Sequence, residues 1–209
     1  VAGGVIGDIR FYANNDASIK EISVIIKNIS VVNTSVIAKC SNGYNLSAGG
    51  IVGRYRIKTG SYRYKNLILS NASVSSSAVL ALGNSECDVG GLFGLSQWEL
   101  ILNACSVDGC SVVASVYNTG IKNPSVTIEN TKGNVNADVQ YVLSNAKSDK
   151  YAGGFVGRSE KDLTVSDDGG NGNYVKSSEK ATVISGCAYA GGITGYSRDS
   201  TNFVFNNVN

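Results

Sequence analysis

Residues 89–94 have the sequence Val-Gly-Gly-Leu-Phe-Gly, which is one of five copies of the same six-residue phrase. The other copies are Ala-Gly-Gly-Val-Ile-Gly at 2–7, Ala-Gly-Gly-Ile-Val-Gly at 48–53, Ala-Gly-Gly-Phe-Val-Gly at 152–157 and Ala-Gly-Gly-Ile-Thr-Gly at 190–195. Successive copies start 46, 41, 63 and 38 residues apart. A phrase that returns at such intervals indicates a repeat architecture.

The paired glycines of this glycine phrase predict a corner in every repeat. Glycine adopts left-handed dihedral angles without steric cost and leaves room for a second backbone to pass close by. The two residues after each pair are good strand formers, so we expect a strand to start there. The predicted corner residues are Gly3, Gly4, Gly49, Gly50, Gly90, Gly91, Gly153, Gly154, Gly191 and Gly192.

Short apolar segments bounded by Asn and Ser follow the glycine phrases, at 25–32, 66–74, 100–107 and 202–208. Their β-branched composition is typical of strands, and no window of eleven or more residues has a helical period. The sequence therefore predicts an all-β chain, folded over residues 1–209 as a single parallel β-solenoid, which we expect to be right-handed.

The five phrases resemble the GLUG-motif repeats, which are named for a core of glycine, two hydrophobic residues and glycine. Segment 101–109, Ile-Leu-Asn-Ala-Cys-Ser-Val-Asp-Gly, is similar to the continuation of that motif. Proteins with these repeats are large surface proteins, adhesins and secreted peptidases. The resemblance implies an extracellular stalk or display segment without catalytic residues.

Composition excludes several classes of function. A net charge of +2 is too small to favour nucleic-acid binding, and no apolar run reaches the eighteen residues of a membrane span. The chain has no histidine, which removes Ser-His-Asp sites, Cys-His sites and every zinc site that uses histidine. We expect no cofactor and no bound metal.

Acidic residues are sparse, and their only tight group is Glu160, Asp162, Asp167 and Asp168. A solvated loop is the favoured interpretation of this group. The alternative is a polysaccharide lyase that uses Lys or Arg with Asp on one face of the solenoid. Three or more carboxylates converging in one groove would favour that enzyme. The glycine-rich run at 167–173 fits neither an EF-hand loop nor a calcium nonapeptide, so we interpret it as a turn.

The five cysteines include no Cys-x-x-Cys pair, so a zinc site is not expected. Cys105 and Cys110 are close enough in sequence to close a small disulfide loop in an oxidising compartment. The competing interpretation is that the cysteines are small buried hydrophobic residues, which we favour for Cys40.

Residues 54–65 alternate around Thr-Gly-Ser, which predicts a β-hairpin with a basic face and an aromatic face. Such a surface suits an anionic glycan or an acidic protein partner, although basic residues also protect a solvated strand edge from aggregation. The candidate ligand surface consists of Arg54, Tyr55, Arg56, Lys58, Tyr62, Arg63, Tyr64 and Lys65.

The 63-residue interval between the third and fourth phrases exceeds the preceding one by 22 residues. Residues 117–150 therefore hold either an extra rung, meaning one further turn of the solenoid, or an inserted loop. Strand-like segments at 126–128 and 139–143 favour the extra rung.

Both predicted end rungs are ordinary repeats without charged or proline-rich caps, and the chain lacks methionine. We expect a processed form or a piece of a longer protein whose ends contact flanking sequence or further copies of the chain. Sequons at Asn28, Asn33, Asn45 and Asn71 become glycosylation sites only on a eukaryotic secretory route.

Overall fold

The computed structural model describes residues 1–11, 22–57, 64–116, 127–131, 134–138, 149–166, 173–176, 182–185, 189–198 and 202–206. All regular secondary structure in these ranges is β-strand, and all but one pair of strands run parallel. The predicted parallel β-solenoid is confirmed.

The strands follow one another in five rungs. The first rung contains β1 (Ala2–Gly3), β2 (Ile6–Phe11), β3 (Ile22–Val32) and β4 (Ser35–Cys40). The second contains β5 (Leu46–Gly49), β6 (Val52–Ile57), β7 (Tyr64–Ser75) and β8 (Ala78–Gly83). The third contains β9 (Cys87–Gly90), β10 (Phe93–Ser96), β11 (Leu100–Asp108) and β12 (Ser111–Ser115), and is followed by β13 (Thr127–Thr131) and β14 (Asn134–Asp138). The fourth contains β15 (Lys150–Gly153), β16 (Val156–Ser159), β17 (Leu163–Ser166), β18 (Tyr174–Lys176) and β19 (Thr182–Ser185). The fifth contains β20 (Tyr189–Gly191), β21 (Thr194–Ser197) and β22 (Phe203–Phe205).

Corresponding strands of successive rungs stack into four parallel sheets, which we name A to D. Sheet A has the order β1-β5-β9-β15-β20, sheet B β2-β6-β10-β16-β21, sheet C β3-β7-β11-β17-β22 and sheet D β4-β8-β12-β19. β18 also pairs with β11. Strands in such a stack lie about 4.8 Å apart, so each glycine phrase is one rung from the next.

The glycine phrases form a continuous column at the corner between sheets A and B. Gly3 pairs with Gly49, Gly49 with Gly90, Gly90 with Gly153 and Gly153 with Gly191. The predicted corner and the predicted strand start are therefore confirmed.

The expected left-handed dihedral angles at these glycines are wrong. Among the described glycines only Gly109 has a positive φ, at 60°. The phrase needs glycine for space: a Cβ on Gly90 would lie 1.9 Å from the carbonyl oxygen of Phe93 in its own rung and 2.6 Å from that of Phe155 in the next rung. Close packing of backbone on backbone, and not strain, explains the repeated glycines.

Two hydrophobic cores fill the interior. One contains Leu67, Leu69, Phe93, Leu100 and Leu102 and joins sheets B and C. The other contains smaller residues such as Ala48, Val79, Val89 and Val112 and joins sheets A and D. The aromatic residues of the cores, Tyr55, Phe93 and Phe155, all belong to the first of these clusters.

Residues with a left-handed backbone conformation form two further columns, one within the long strands of sheet C and one in the turns that follow them. Asn28, Asn71 and Ala104 have φ values of 58°, 48° and 52° at equivalent points of β3, β7 and β11. Asn33, Ser76 and Gly109 occupy the turn that follows in each rung, with φ values of 52°, 47° and 60°. The side chain of Asn71 donates a 2.9 Å hydrogen bond to Asn28, because both hold the same backbone conformation one rung apart.

The predicted extra rung in 117–150 is wrong. β9 pairs directly with β15, with Cys87 opposite Lys150, so no rung lies between them. β13 and β14 pair with each other in antiparallel fashion and form a separate sheet. The segment is an insertion into the solenoid, which agrees with the loop alternative.

The predicted hairpin at 54–65 is also wrong. β6 ends at Ile57 and pairs with β2 and β10, whereas β7 begins at Tyr64 and pairs with β3 and β11. The alternating pattern belongs to two strands of different sheets on either side of a corner. Only the alternation is correct, since Tyr55 is buried while Arg54 and Arg56 are partly exposed.

Candidate functional site

Two columns of residues that lie outside the two hydrophobic cores follow the glycine corner along sheets A and B. The first holds Ser47, Asp88, Tyr151 and Tyr189. The second holds Asp8, Arg54, Leu95, Arg158 and Tyr196. In the first column the residue stands two positions before the first glycine, and in the second it follows the third glycine directly. The glycine phrase therefore places charged and aromatic side chains from every rung beside one another.

An arginine cluster lies in the first two rungs, at the start of the second column. Arg54 donates two hydrogen bonds to Asp8, of 3.1 and 3.0 Å, and Arg10 and Arg56 donate to the same carboxylate at 2.8 and 3.3 Å. Burial acts to raise the pKa of Asp8, but the hydrogen bonds and charges of the three arginines lower it to about 2. Three guanidinium groups thus share one carboxylate, which leaves an excess positive charge on partly exposed side chains.

An acidic cluster surrounds Arg158 two rungs further along. Its guanidinium lies 2.9 Å from Asp88, 3.3 Å from Glu86 and 3.7 Å from Glu160. Asp88 is completely buried and Arg158 nearly so. The three carboxylates outnumber the single guanidinium, and the buried pair of Asp88 and Arg158 is flanked by the partly exposed Glu86 and Glu160.

Burial raises the pKa of Asp88 to about 7, and the nearby charges of Glu86 and Glu160 act in the same direction, while Arg158 opposes them. Burial alone would lower the pKa of Arg158, but the three carboxylates raise it above its usual value. Hydrogen bonds from Gln97 to Glu160 and from Asn45 to Glu86 hold the outer carboxylates in place, at 2.9 and 2.8 Å.

Three tyrosines continue the two columns into the last rungs. The ring centroids of Tyr151, Tyr189 and Tyr196 lie 4.8 to 5.3 Å apart, which is the usual range for aromatic pairs. The guanidinium of Arg158 lies 5.2 Å from the Tyr151 centroid, within cation–π range. Burial and the hydrogen bond to Asp149 raise the pKa of Tyr151. Tyr189, in the last rung, is 44% exposed.

Three residues of the predicted ligand surface are placed by the structure. Arg54 and Arg56 join the arginine cluster, and Tyr55 lies in the core with its ring against Phe11 at 6.2 Å. Tyr64 and Lys65 lie in β7, but their side chains are outside the described structure, as are the residues Lys58, Tyr62 and Arg63. The structure thus places Arg54 and Arg56 side by side and partly exposed, and it corrects the prediction at Tyr55, which is buried.

The predicted acidic group does not act as one site where it is described. Glu160 faces Arg158, whereas Asp162 accepts a 2.9 Å hydrogen bond from the backbone of Asn202. Asp167 and Asp168 lie outside the described residues. Within the described ranges no set of three histidine, cysteine, aspartate or glutamate side chains is arranged to hold a metal ion.

The candidate disulfide is absent, because Cys105 and Cys110 are free thiols. The Cys105 thiol donates to the carbonyl of Leu69 at 3.4 Å, and the Cys110 thiol to that of Val74 at 3.5 Å. Burial raises the pKa of the two thiols to about 12 and about 11. Both are small core residues that bind the neighbouring rung, as the competing interpretation expected. Asn28, Asn33, Asn45 and Asn71 are exposed, and nothing in the structure tests their glycosylation.

Sequence reasoning did not identify Asp8, Arg10, Asp88, Arg158 or the three tyrosines. Aligning the five glycine phrases and reading one position after the third glycine would have placed Asp8, Arg54 and Arg158 in one column. Reading two positions before the first glycine would have done the same for Asp88, Tyr151 and Tyr189. The signal is present only in the alignment of the repeats, not in any single stretch.

The described residues include no helix that is long and apolar enough to cross a membrane. No family model matches the chain, and neither a curated protein nor a solved structure is significantly similar to it.

Proposed function

We propose that this chain is a non-enzymatic structural segment of an extracellular surface protein, in which the solenoid serves as a stalk or as a subunit that stacks into a filament. The observation that carries the proposal is the backbone-on-backbone packing of the glycine column, which joins five rungs into one continuous stack. The extracellular setting rests on the GLUG-type phrases. The adhesive role rests on the partly exposed arginines Arg10, Arg54 and Arg56 and on the exposed Tyr189 beside the same column.

The acidic cluster bears directly on the rival lyase function. Glu86, Asp88 and Glu160 converge in the way that would favour an enzyme. Their charges, however, are directed at Arg158, and the central Asp88 has no exposed surface with which to reach a polymer. A buried and mutually engaged cluster of this kind is better suited to joining sheets A and B than to catalysis.

A depolymerisation assay on acidic and neutral polysaccharides tests the proposal. We expect no turnover by the wild-type chain. The rival is supported if the chain cleaves a polymer and if Asp88→Asn or Glu160→Gln abolishes that cleavage while the circular dichroism of the strands is unchanged.

The arginine cluster favours a second function, the binding of an anionic glycan or an acidic protein surface. Arg10, Arg54 and Arg56 converge on the carboxylate of Asp8, each within 3.3 Å. Arginine side chains bind sulfate and carboxylate groups through paired hydrogen bonds. Arg54 makes two of the four hydrogen bonds to Asp8, and Arg10 and Arg56 make one each, so the guanidinium groups of all three lie together at this surface.

Heparin affinity chromatography distinguishes this function from a general basic surface. We expect the Arg10→Gln/Arg56→Gln chain to elute at lower salt than the wild type. The control is Lys27→Gln/Lys161→Gln, which removes the same charge from exposed positions away from the cluster. Equal shifts in both chains would mean that net charge, and not the cluster, holds the glycan.

A further inference from the structure

Sheet B carries opposite charges on the side that lies away from the hydrophobic cores. Its strand β6, in the second rung, contributes Arg54 and Arg56, and β16, in the fourth rung, contributes Arg158 and Glu160. Between them lies β10, whose Leu95 pairs with Arg54 on one side and with Arg158 on the other. Neighbouring strands are about 4.8 Å apart, so the basic and the acidic positions are about 10 Å apart along the solenoid. All three strands have a neighbouring rung above and below.

The basic side, which we name the basic patch, consists of Arg54 and Arg56 around Asp8. Their guanidinium groups lie 3.0 and 3.3 Å from the same carboxylate, and Arg10 adds a third guanidinium at 2.8 Å. Arg54 and Arg56 alone already bring two positive charges to one negative charge. The side chains of these two arginines are 19% and 29% exposed, so the excess positive charge is accessible to a partner.

The acidic side, which we name the acidic patch, consists of Glu86, Asp88 and Glu160 around Arg158. Asp88 is buried against Arg158 at 2.9 Å, whereas the side chains of Glu86 and Glu160 are 33% and 20% exposed. Even when Asp88 is protonated, two carboxylates surround one guanidinium, so the patch keeps an excess of negative charge. Glu86 and Glu160 are the carboxylates that a partner can reach.

We propose that a second copy of the chain docks on this face with the two solenoids antiparallel, so that the basic patch of each copy lies on the acidic patch of the other. This inference rests on the proposed binding of an acidic protein surface and names that surface. A twofold axis along β10 exchanges the second and the fourth rungs, and it therefore brings each patch onto its opposite. The contact uses the same face of both copies and closes at a dimer.

The axis also sets one pair of opposite charges against each other. Backbone hydrogen bonds of 2.9 and 2.8 Å join Gln97 to the second rung and Glu160 to the third, so Arg56, Gln97 and Glu160 form one column. With the axis at Gln97, Arg56 of one copy faces Glu160 of the other, and symmetry forms the same pair a second time. Arginine and carboxylate form strong, charge-assisted hydrogen bonds. Leu95 and Gln97, at the axis, carry no charge and do not repel their own copies.

A parallel arrangement of two copies on the same face is unfavourable. It would place each patch on the patch of the same sign, and like charges across an interface suppress association. The antiparallel arrangement satisfies both patches at once. Because the contact is formed by charged groups at the surface, we expect it to weaken as the salt concentration rises.

Charge-reversed variants test the proposal by sedimentation equilibrium at low salt. Arg56→Glu makes both sides of the contact acidic, and Glu160→Arg makes both sides basic. The matched controls are Lys27→Glu and Glu99→Arg, which make the same changes of charge in or beside sheet C. Circular dichroism confirms that each variant is folded.

We expect the wild type and the controls to dimerise, and each charge-reversed variant to raise the dimer Kd by more than about tenfold. An equimolar mixture of Arg56→Glu and Glu160→Arg should restore the dimer, since both contacts then join opposite charges. A mixture that stays monomeric while the wild type dimerises would overturn the antiparallel arrangement. So would a wild-type-like dimer formed by either reversed variant alone.

Heparin affinity chromatography separates this inference from the function on which it rests. A wild type that stays monomeric at low salt overturns the docking of a second copy. If that monomer still elutes from heparin at higher salt than Arg10→Gln/Arg56→Gln, the arginine cluster remains a site for anionic glycan. If the two chains elute together as well, the cluster is overturned as a binding surface of either kind.

Discussion

The inner and the end rungs of this solenoid carry the same glycine phrase in different surroundings. In the third rung, a Cβ on Gly91 would collide with the backbone of Gly154 and lie 2.8 Å from the side chain of Val107. In the fifth rung the equivalent Gly192 has open space around it. The requirement for the second glycine of the phrase is thus set by the neighbouring rung, whereas the first glycine is also required within its own rung, since a Cβ on Gly191 would still lie 2.1 Å from the carbonyl oxygen of Thr194.

The largest expected effect comes from adding one methyl group at these two equivalent positions. Gly91→Ala should destabilise the protein by more than about 4 kcal/mol, because the collision is with main-chain atoms that cannot rotate away. Gly192→Ala should change the free energy of unfolding of the monomer by less than about 0.5 kcal/mol. Urea denaturation at a concentration where the protein is monomeric measures both.

Gly90→Val concerns the first glycine of the phrase, where a Cβ would meet the carbonyl oxygens of Phe93 in its own rung and of Phe155 in the next, and we expect a chain that does not fold. Similar losses at Gly91 and Gly192 would show that the glycines serve a local conformation, which would break the comparison. A tolerated Gly91→Ala would mean that the rungs separate easily.

The second contrast concerns two aspartates with opposite pKa shifts. Asp8 belongs to the first rung and its pKa is lowered to about 2, whereas Asp88 belongs to the third and its pKa is raised to about 7. The unfolded value of both is about 3.9. As pH falls from about 4 to about 2, the folded state loses the stability that ionised Asp8 supplies.

Asp88 has the opposite effect on the pH dependence of stability, between pH 4 and 7. There the folded state keeps a proton that the unfolded chain releases, so stability should fall as pH rises, by roughly 2 to 4 kcal/mol in total. Melting temperatures from pH 2 to 8 should therefore show a maximum near pH 4. Asp88→Asn should flatten the upper limb and leave the lower limb in place. An unchanged upper limb would show that Asp88 is ionised throughout.

The smallest expected effect lies in the column of left-handed residues. Ala104 of the third rung holds a φ of 52°, which is unfavourable for alanine, while Asn28 and Asn71 are better suited to that conformation. Ala104→Asn should stabilise the protein by about 0.5–1 kcal/mol, and Asn28→Ala in the first rung should cost about as much. Thermal denaturation of the two variants measures the pair. A loss at Ala104→Asn would mean that a side chain at this point meets an obstacle in the fourth rung.

The fold could be predicted because the repeated glycine phrase indicates which strands of successive rungs pair with each other. Five phrases at similar intervals specify a stack, and the glycine column follows from it. The extra rung and the hairpin were wrong because local strand patterns carry no information on partners. Residues 54–57 and 64–65 alternate like two arms of a hairpin, yet β6 and β7 belong to different sheets.

The candidate sites could be predicted only in part. Arg54 and Arg56 were found because they are close together in sequence. Asp88 and Arg158 are 70 residues apart, and only the register of the rungs brings them within 2.9 Å. Burial then decides their chemistry, since the same carboxyl group has a low pKa at Asp8 and a high one at Asp88.

The insertion between the third and fourth rungs shows how this architecture tolerates changes in length. β9 and β15 pair residue by residue although 59 residues lie between Gly90 and Lys150. The antiparallel strands β13 and β14 thus form a separate sheet that takes no part in the pairing between rungs. The connection between these two rungs is therefore a suitable position for grafting a foreign peptide, which would be attached at a known rung of the stack. Peptides grafted at different rungs would be separated by multiples of the rung spacing.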